Sequence, residues 1–191
     1  MSKQQDQTKQ HFLHHAEGWQ AKAEKATQVD GVIEARQNAV LSVLNSFDTV
    51  DHFLDVACGT GHLVLAAAEQ GIKSFGVDFS ETMITICENN RKNSSGQDLA
   101  RFESCSFFDM RSDGEQFDVI SAQGFIEDIS HDQLDAFFSQ CVKMLRPGGA
   151  LVVGSRNRLF NAFSLNAFTK MEMDLGVLDN LISESIAFES G

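Results

Sequence analysis

Leu54-Asp55-Val56-Ala57-Cys58-Gly59-Thr60-Gly61 is the stretch whose reading sets the fold. It closes a short apolar run, His52 to Ala57, and opens a helical pattern that continues from Gly61 to Gln70. Glycines at such a junction let a ligand approach the backbone, and the helix start offers N–H groups without intrahelical partners. A Gly-x-Gly pair also makes ordinary tight turns, so the strand before it and the helix after it are what mark a ligand loop. A dinucleotide loop would carry a third glycine where Val64 stands, a branched residue where helix and strand must pack closely around a pyrophosphate. Asp55 adds negative charge just before the turn, which suits a cationic ligand better than a phosphate.

Outward from the loop, strand-like and helix-like segments alternate. Upstream, Asp30 is a plausible N-cap, and Ile33, Val40, Leu44 and Phe47 recur near the helical period. Downstream, Gly71 ends the first helix, and Lys73 to Val77 reads as a second strand. Ser80 caps a helix to about Asn90, Ala100 to Phe107 is a third strand, and Phe117 to Ala122 is a fourth. Ser130 and Gln133 form a capping box ahead of a stripe made by Leu134, Phe137, Phe138, Cys141, Val142 and Leu145. Pro147-Gly148-Gly149 stops that helix and opens a fifth strand, Ala150 to Ser155. Strands alternating with helices through short loops predict a parallel sheet covered on both faces. The expected domain spans 30–155, flanked by an arm or lid, 1–29, and a helical Phe-rich tail, 156–191.

Two further acids follow strand ends. Asp78, closing the second strand, can accept both hydroxyls of a ribose; its other role would be a helix cap. Asp109, beyond the third strand, can take an adenine amino proton while Phe79 and Met110 cover the ring faces; a plain loop acid is the alternative.

Composition narrows the partners. Asp and Glu number 27 against 15 Lys and Arg, a formal net charge of -12, and such a field repels nucleic acid and anionic membrane surfaces. No run approaches the roughly 20 apolar residues of a bilayer span, and the polar start carries no signal-peptide stretch, so a cytoplasmic protein without membrane insertion is expected. Cys58, Cys87, Cys105 and Cys141 are widely spaced and read as reduced thiols rather than a metal or redox site. His11, His14 and His15 lack nearby ligands to complete a metal shell, and no metal is expected.

Five motifs now stand in order: Leu54 to Gly61; Val77-Asp78-Phe79-Ser80 with Met83; Phe108-Asp109-Met110; Phe117-Asp118-Val119-Ile120; and Leu145-Arg146-Pro147-Gly148-Gly149. With them the chain resembles, over about residues 31–155, the class I S-adenosylmethionine-dependent methyltransferases, especially the small-molecule branch that includes quinone-biosynthesis enzymes. The resemblance implies a Rossmann-like, doubly wound α/β fold with a mainly parallel sheet, S-adenosylmethionine as cofactor and a small-molecule acceptor. It places Asp55, Gly59 and Gly61 around the methionine portion, Asp78 on the ribose, Asp109 and Met110 at the adenine, and Gln123 beside the sulfonium. Ala57, Thr60, Phe79 and Met83 complete the implied cofactor set.

The implied chemistry is an in-line displacement, for which the enzyme mainly aligns a nucleophile with the sulfonium methyl. For a hydroxyl acceptor, Glu127, Asp128 and His131 are the candidate bases, although first-turn acids and a surface His would look the same. Relatives often carry a His soon after strand four, where this chain has Glu127-Asp128. The 36 residues after Ser155 leave scant room for the family's terminal antiparallel hairpin, which is expected to be missing or truncated. The arm around Phe12 to Trp19 and the tail around Phe160 to Phe168 are expected to form the acceptor pocket, with Arg156 and Arg158 supplying positive charge. Two other readings stay open: a non-catalytic S-adenosylmethionine-binding module, and an NAD-dependent oxidoreductase. The oligomeric state is left open.

Overall fold

The computed structural model describes residues 31–110 and 114–155, together with Met173. The expected arm, the Asp30 cap and, apart from Met173, the Phe-rich tail with Arg156 and Arg158 lie outside the described residues. The elements run α1 (Gly31–Leu44), β1 (His52–Val56), α2 (His62–Glu69), β2 (Lys73–Asp78), α3 (Glu81–Arg91), β3 (Ala100–Ser104), β4 (Phe117–Gln123), α4 (His131–Met144) and β5 (Leu145–Gly154). Short 3-10 turns at Phe107–Asp109 and Ile126–Asp128 follow β3 and β4.

The sheet order is β3-β2-β1-β4-β5, and every neighbouring pair is parallel. The chain winds outward from β1 to β3, then crosses back to lay β4 on the other side of β1. Strand order therefore reverses between β1 and β4, the position beyond the strand ends at which open α/β sheets bind ligands. The expected α/β class and parallel sheet are what the structure has. Among the described residues the sheet ends at β5, with no antiparallel hairpin.

Alternation along β1 explains both layers of core. Leu54 and Val56 point to the face covered by Phe137, Cys141 and Met144 of α4. Phe53 points to the other, with Val40 and Leu44 of α1 and Leu63 and Ala67 of α2. Phe53, Leu54 and Val56 are wholly removed from solvent, each worth about 1.5–3 kcal/mol of hydrophobic stabilisation. A third cluster, with Val64, Cys58, Cys87 and Ala100, lies beneath the glycine loop.

Three expectations are corrected. β5 starts at Leu145, directly after α4, so Pro147-Gly148-Gly149 is a bulge inside the strand and not a turn leading to it. Phe117 faces Leu145 while Val119 faces Ala150, leaving the extra residues of β5 to bow outward. Asp118 holds the bulge: its Oδ1 accepts from Arg146 Nη1 at 2.8 Å, and its Oδ2 accepts the N–H groups of Asp51 and His52, each at 2.8 Å. Burial works against that carboxylate, but the bonds from His52, Asp51 and Arg146 hold its pKa below the usual range. Second, the buried stripe of α4 is narrower than read. Phe137, Cys141 and Met144 lie inward at helical spacing, whereas Phe138 and Val142, a further turn of about 100° around the axis, are exposed. Third, β3 ends at Ser104, and Phe107 belongs to the 3-10 turn that follows.

Candidate functional site

The glycine loop is a strained turn clamped on three sides. Ala57 (φ 57°), Gly59 (φ 55°) and Gly61 (φ 79°) all take left-handed backbone, a conformation that costs a residue with a Cβ about 1 kcal/mol or more. What holds it there is a set of cross-chain bonds. Cys58 N–H donates to Val77 O at 3.0 Å, fastening the loop to β2. Gly59 N–H donates to Asp78 Oδ2 at 3.1 Å, and Ser80 N–H donates to Asp78 Oδ1 at 2.9 Å. From α3, the Cys87 thiol donates to Gly59 O at 3.1 Å and Asn90 Nδ2 to Thr60 O at 3.0 Å.

The two glycines of the pair do different work. A Cβ built on Gly59 would meet nothing within 4 Å, so this residue faces open space. A Cβ on Gly61 would meet the Phe102 ring at 2.8 Å and Cys87 Sγ at 2.9 Å. Gly61 is thus closed against the protein, and its absent side chain makes room for Phe102 rather than for a ligand. Gly76 on β2 repeats the pattern, against Phe102 at 2.8 Å and Cys58 Sγ at 2.9 Å. Val64, in the third-glycine place, is fully buried in the cluster beneath, which leaves a branched side chain where a dinucleotide loop needs none.

Asp55, next to last in β1, and Asp78, last in β2, stand on adjacent strands and are both buried, 5% and 8% exposed. Burial pushes the Asp55 carboxyl up to about 7, against a lowering bond from Ser121 and with a further rise from the Asp78 charge. Burial likewise raises Asp78 to about 6, although the Ser80 and Gly59 N–H groups favour its charged form. Two neighbouring, poorly solvated carboxylates favour a ligand that brings positive charge or hydroxyl donors.

Other residues named from sequence scatter around this pair. Phe79 is half-buried next to Asp78, and Met83 is buried behind the cap it shares with Ser80, whose Oγ accepts Met83 N–H at 3.4 Å. Gln123 directs its amide inward, donating to Val152 O at 3.1 Å and Ser121 Oγ at 3.3 Å. Asp109 is exposed in its 3-10 turn. Met110 is buried in the core on the α4 face and lines a cleft with Phe108, Ser139 and Gln140. The residues that β3 delivers beside Asp78 come earlier: Cys105 N–H donates to Asp78 O at 3.0 Å. Glu127 and Asp128 are half-buried in the turn after β4, and His131 is exposed at the start of α4.

Sequence reading missed Arg36 and Ser121. A Cβ on Gly124, just past β4, would lie 3.4 Å from Arg36 Nη1 and 3.6 Å from Glu127 Oε1, so α1 brings a cation to the strand ends. Its only sequence signal was a basic residue in an otherwise apolar-striped helix. Ser121 is wholly buried and faces Asp55 in register; a serine in an apolar strand was the signal. Among the described residues no helix is long and apolar enough to cross a membrane.

Comparison with known proteins gives this arrangement relatives. Residues 53–149 match the family described as "Methyltransferase domain". The chain is 32% identical over 112 residues to the Ubiquinone biosynthesis O-methyltransferase of Mesorhizobium japonicum, covering 59% of this chain and 43% of that protein. It is 32% identical over 113 residues to the protein of that name from Coxiella burnetii, covering 59% of this chain and 46% of that one. The match spans less than half the length of either relative. Among solved structures, the methyltransferase domain of bacterial-CtHen1-CN superposes with TM-score 0.60 at 20% identity, over 70% of this chain and 71% of that one. The glycopeptide N-methyltransferase MtfA, complexed with S-adenosyl-L-methionine, gives TM-score 0.55 at 13% identity, over 62% and 53%. At these identities the structures speak for the fold.

Proposed function

Because the chain belongs to the methyltransferase domain family, we propose that it moves a methyl group from S-adenosylmethionine to a small-molecule acceptor by in-line displacement. The observation that carries this reading is the buried pair Asp55 and Asp78 at the strand-order reversal, beside a glycine loop open at Gly59. The residues fit the cofactor. Asp78 offers carboxylate oxygens to ribose hydroxyls, Asp55 offers negative charge toward the cationic methionine end, and Gly59, in one loop with Ala57 and Thr60, leaves room for it. Arg36, beside Gly124, supplies the counter-charge that the cofactor's own carboxylate needs. When bound, the cofactor supplies an electrophilic methyl on a good leaving group.

The protein's part is then to bind, orient and exclude water. Glu127, whose Oε1 stands near Gly124 just past β4, is the favoured base of the three candidates for an acceptor hydroxyl; Asp128 and His131 follow. The name shared by the two curated relatives points to a hydroxyl oxygen of a small molecule as the acceptor atom. We assign the residue 1–29 arm to cover the acceptor.

Calorimetry with S-adenosylmethionine, followed by detection of S-adenosylhomocysteine over a panel of hydroxylated aromatic acceptors, tests the reading. Binding and turnover are expected. Tight binding without turnover on any acceptor would favour a binding module, and affinity for a nicotinamide cofactor alone would overturn the assignment.

A further inference from the structure

The end of β4 holds a chain of polar groups that cofactor binding does not by itself require. Gln123 donates its amide to two acceptors, Val152 O at 3.1 Å on β5 and Ser121 Oγ at 3.3 Å on its own strand. A Cβ on Gly154 would overlap Gln123 Oε1, so the glycine at the end of β5 leaves the amide its place. Ser121 is 0% exposed, stands opposite Asp55 in the β1–β4 register, and its hydroxyl favours the charged form of the Asp55 carboxyl. A hydroxyl carries one proton. Since the Gln123 amide already approaches the Ser121 oxygen as a donor, that proton is directed to Asp55.

We propose that Ser121 and Gln123 are positioning residues for the site, a relay in which Gln123 orients the Ser121 hydroxyl, Ser121 donates to Asp55, and the relay sets the lowest pH at which a cationic ligand is held. It rests on the reading of Asp55 as a cofactor-facing carboxylate. The other groups around Asp55 do not help it ionise. Asp78, at the end of β2, opposes the charge, and the Cys58 thiol of the loop, pushed well up by its bond to Cys87 and by burial, stays neutral. Ser121 is the group that favours the carboxylate. Arg36 reaches Gly124, one residue past Gln123.

Carbon-13 NMR titration of the Asp55 carboxyl in the full chain without ligand reads the relay directly. Ser121→Ala should move the midpoint upward by about one pH unit, the size expected when a charged acceptor loses one hydrogen bond. Ser121→Thr keeps the hydroxyl and should return the midpoint to that of the wild type. Gln123→Met, similar in volume but without N–H groups, should give a smaller upward shift, because the freed hydroxyl can turn to other acceptors. The acid limb of S-adenosylmethionine affinity should move with the midpoint. A Ser121→Ala midpoint equal to wild type overturns the relay, and a shifted midpoint with an unmoved acid limb overturns its control of binding. If the wild type binds no S-adenosylmethionine while the midpoints shift as stated, the relay stands and the cofactor reading falls.

Discussion

Asp78 serves both the loop and the ligand we assign to it. One carboxylate oxygen takes the Gly59 N–H and the other the Ser80 N–H, so the group that would hold the ribose also sets where Gly59 stands. Asp78→Ala should weaken S-adenosylmethionine binding by about 1–3 kcal/mol in calorimetry, through the lost charged acceptor; an unchanged Kd would remove Asp78 from the site. Asp55 makes a prediction about pH. Its folded pKa of about 7 lies above the ordinary 3.8, so folding favours the protonated acid. The stability this gives is complete below about pH 4 and is lost as pH rises through 7. Asp55→Asn removes the charge and should therefore exceed the wild type in stability at pH 8 by about 1–3 kcal/mol, a gap that closes near pH 4 in urea melts. The same variant should bind S-adenosylmethionine less tightly at pH 8. An equal or lower stability at pH 8 would show that the buried charge is compensated within the fold.

At the scale of elements, the glycine loop divides into a half that meets solvent and a half that meets protein. Gly59→Ala meets no atom, so its fold should lose only about 1 kcal/mol, from the left-handed backbone, while ligand affinity falls further. Gly61→Val places its side chain against Phe102 and Cys87 and should destabilise the fold by about 2–4 kcal/mol. The resemblance placed Gly61 around the methionine portion of the cofactor, a role that asks nothing of the fold. A thermal melt of Gly61→Val that matched wild type would contradict the packing described. Elements that depend on neighbours a few residues apart were legible. The capping box of Ser130 and Gln133 spans three positions and forms as read, with Ser130 N–H donating to Gln133 Oε1 at 3.1 Å. The bulge in β5 was not, because Pro147-Gly148-Gly149 signals a break locally and only the tie from Arg146 to Asp118 on another strand carries the strand through it.

For the whole molecule, the alternation of apolar strands and capped helices made the parallel sheet legible, and Asp55 and Asp78 fell where that order puts them, whereas Asp109 lies beyond β3 in an exposed turn. What stayed hidden were partners joined only by the winding of the chain, such as Arg36 of α1 beside the end of β4 and Ser121 beside Asp55. The assignment of the residue 1–29 arm to the acceptor predicts that deleting it leaves cofactor affinity within a few-fold but abolishes methyl transfer, by admitting water and releasing the acceptor. Full turnover by the truncated protein would send the search for the pocket elsewhere. Phe102 bears on how such a site could be reused. Its ring, on the outermost strand β3, fills the space that Gly61 and Gly76 leave empty. The loop is therefore not a portable cassette. Grafted onto a sheet that lacks an aromatic residue at that remove, the sequence from Leu54 to Gly61 would arrive over a void and lose its shape, so a transplant has to carry position 102 along with it.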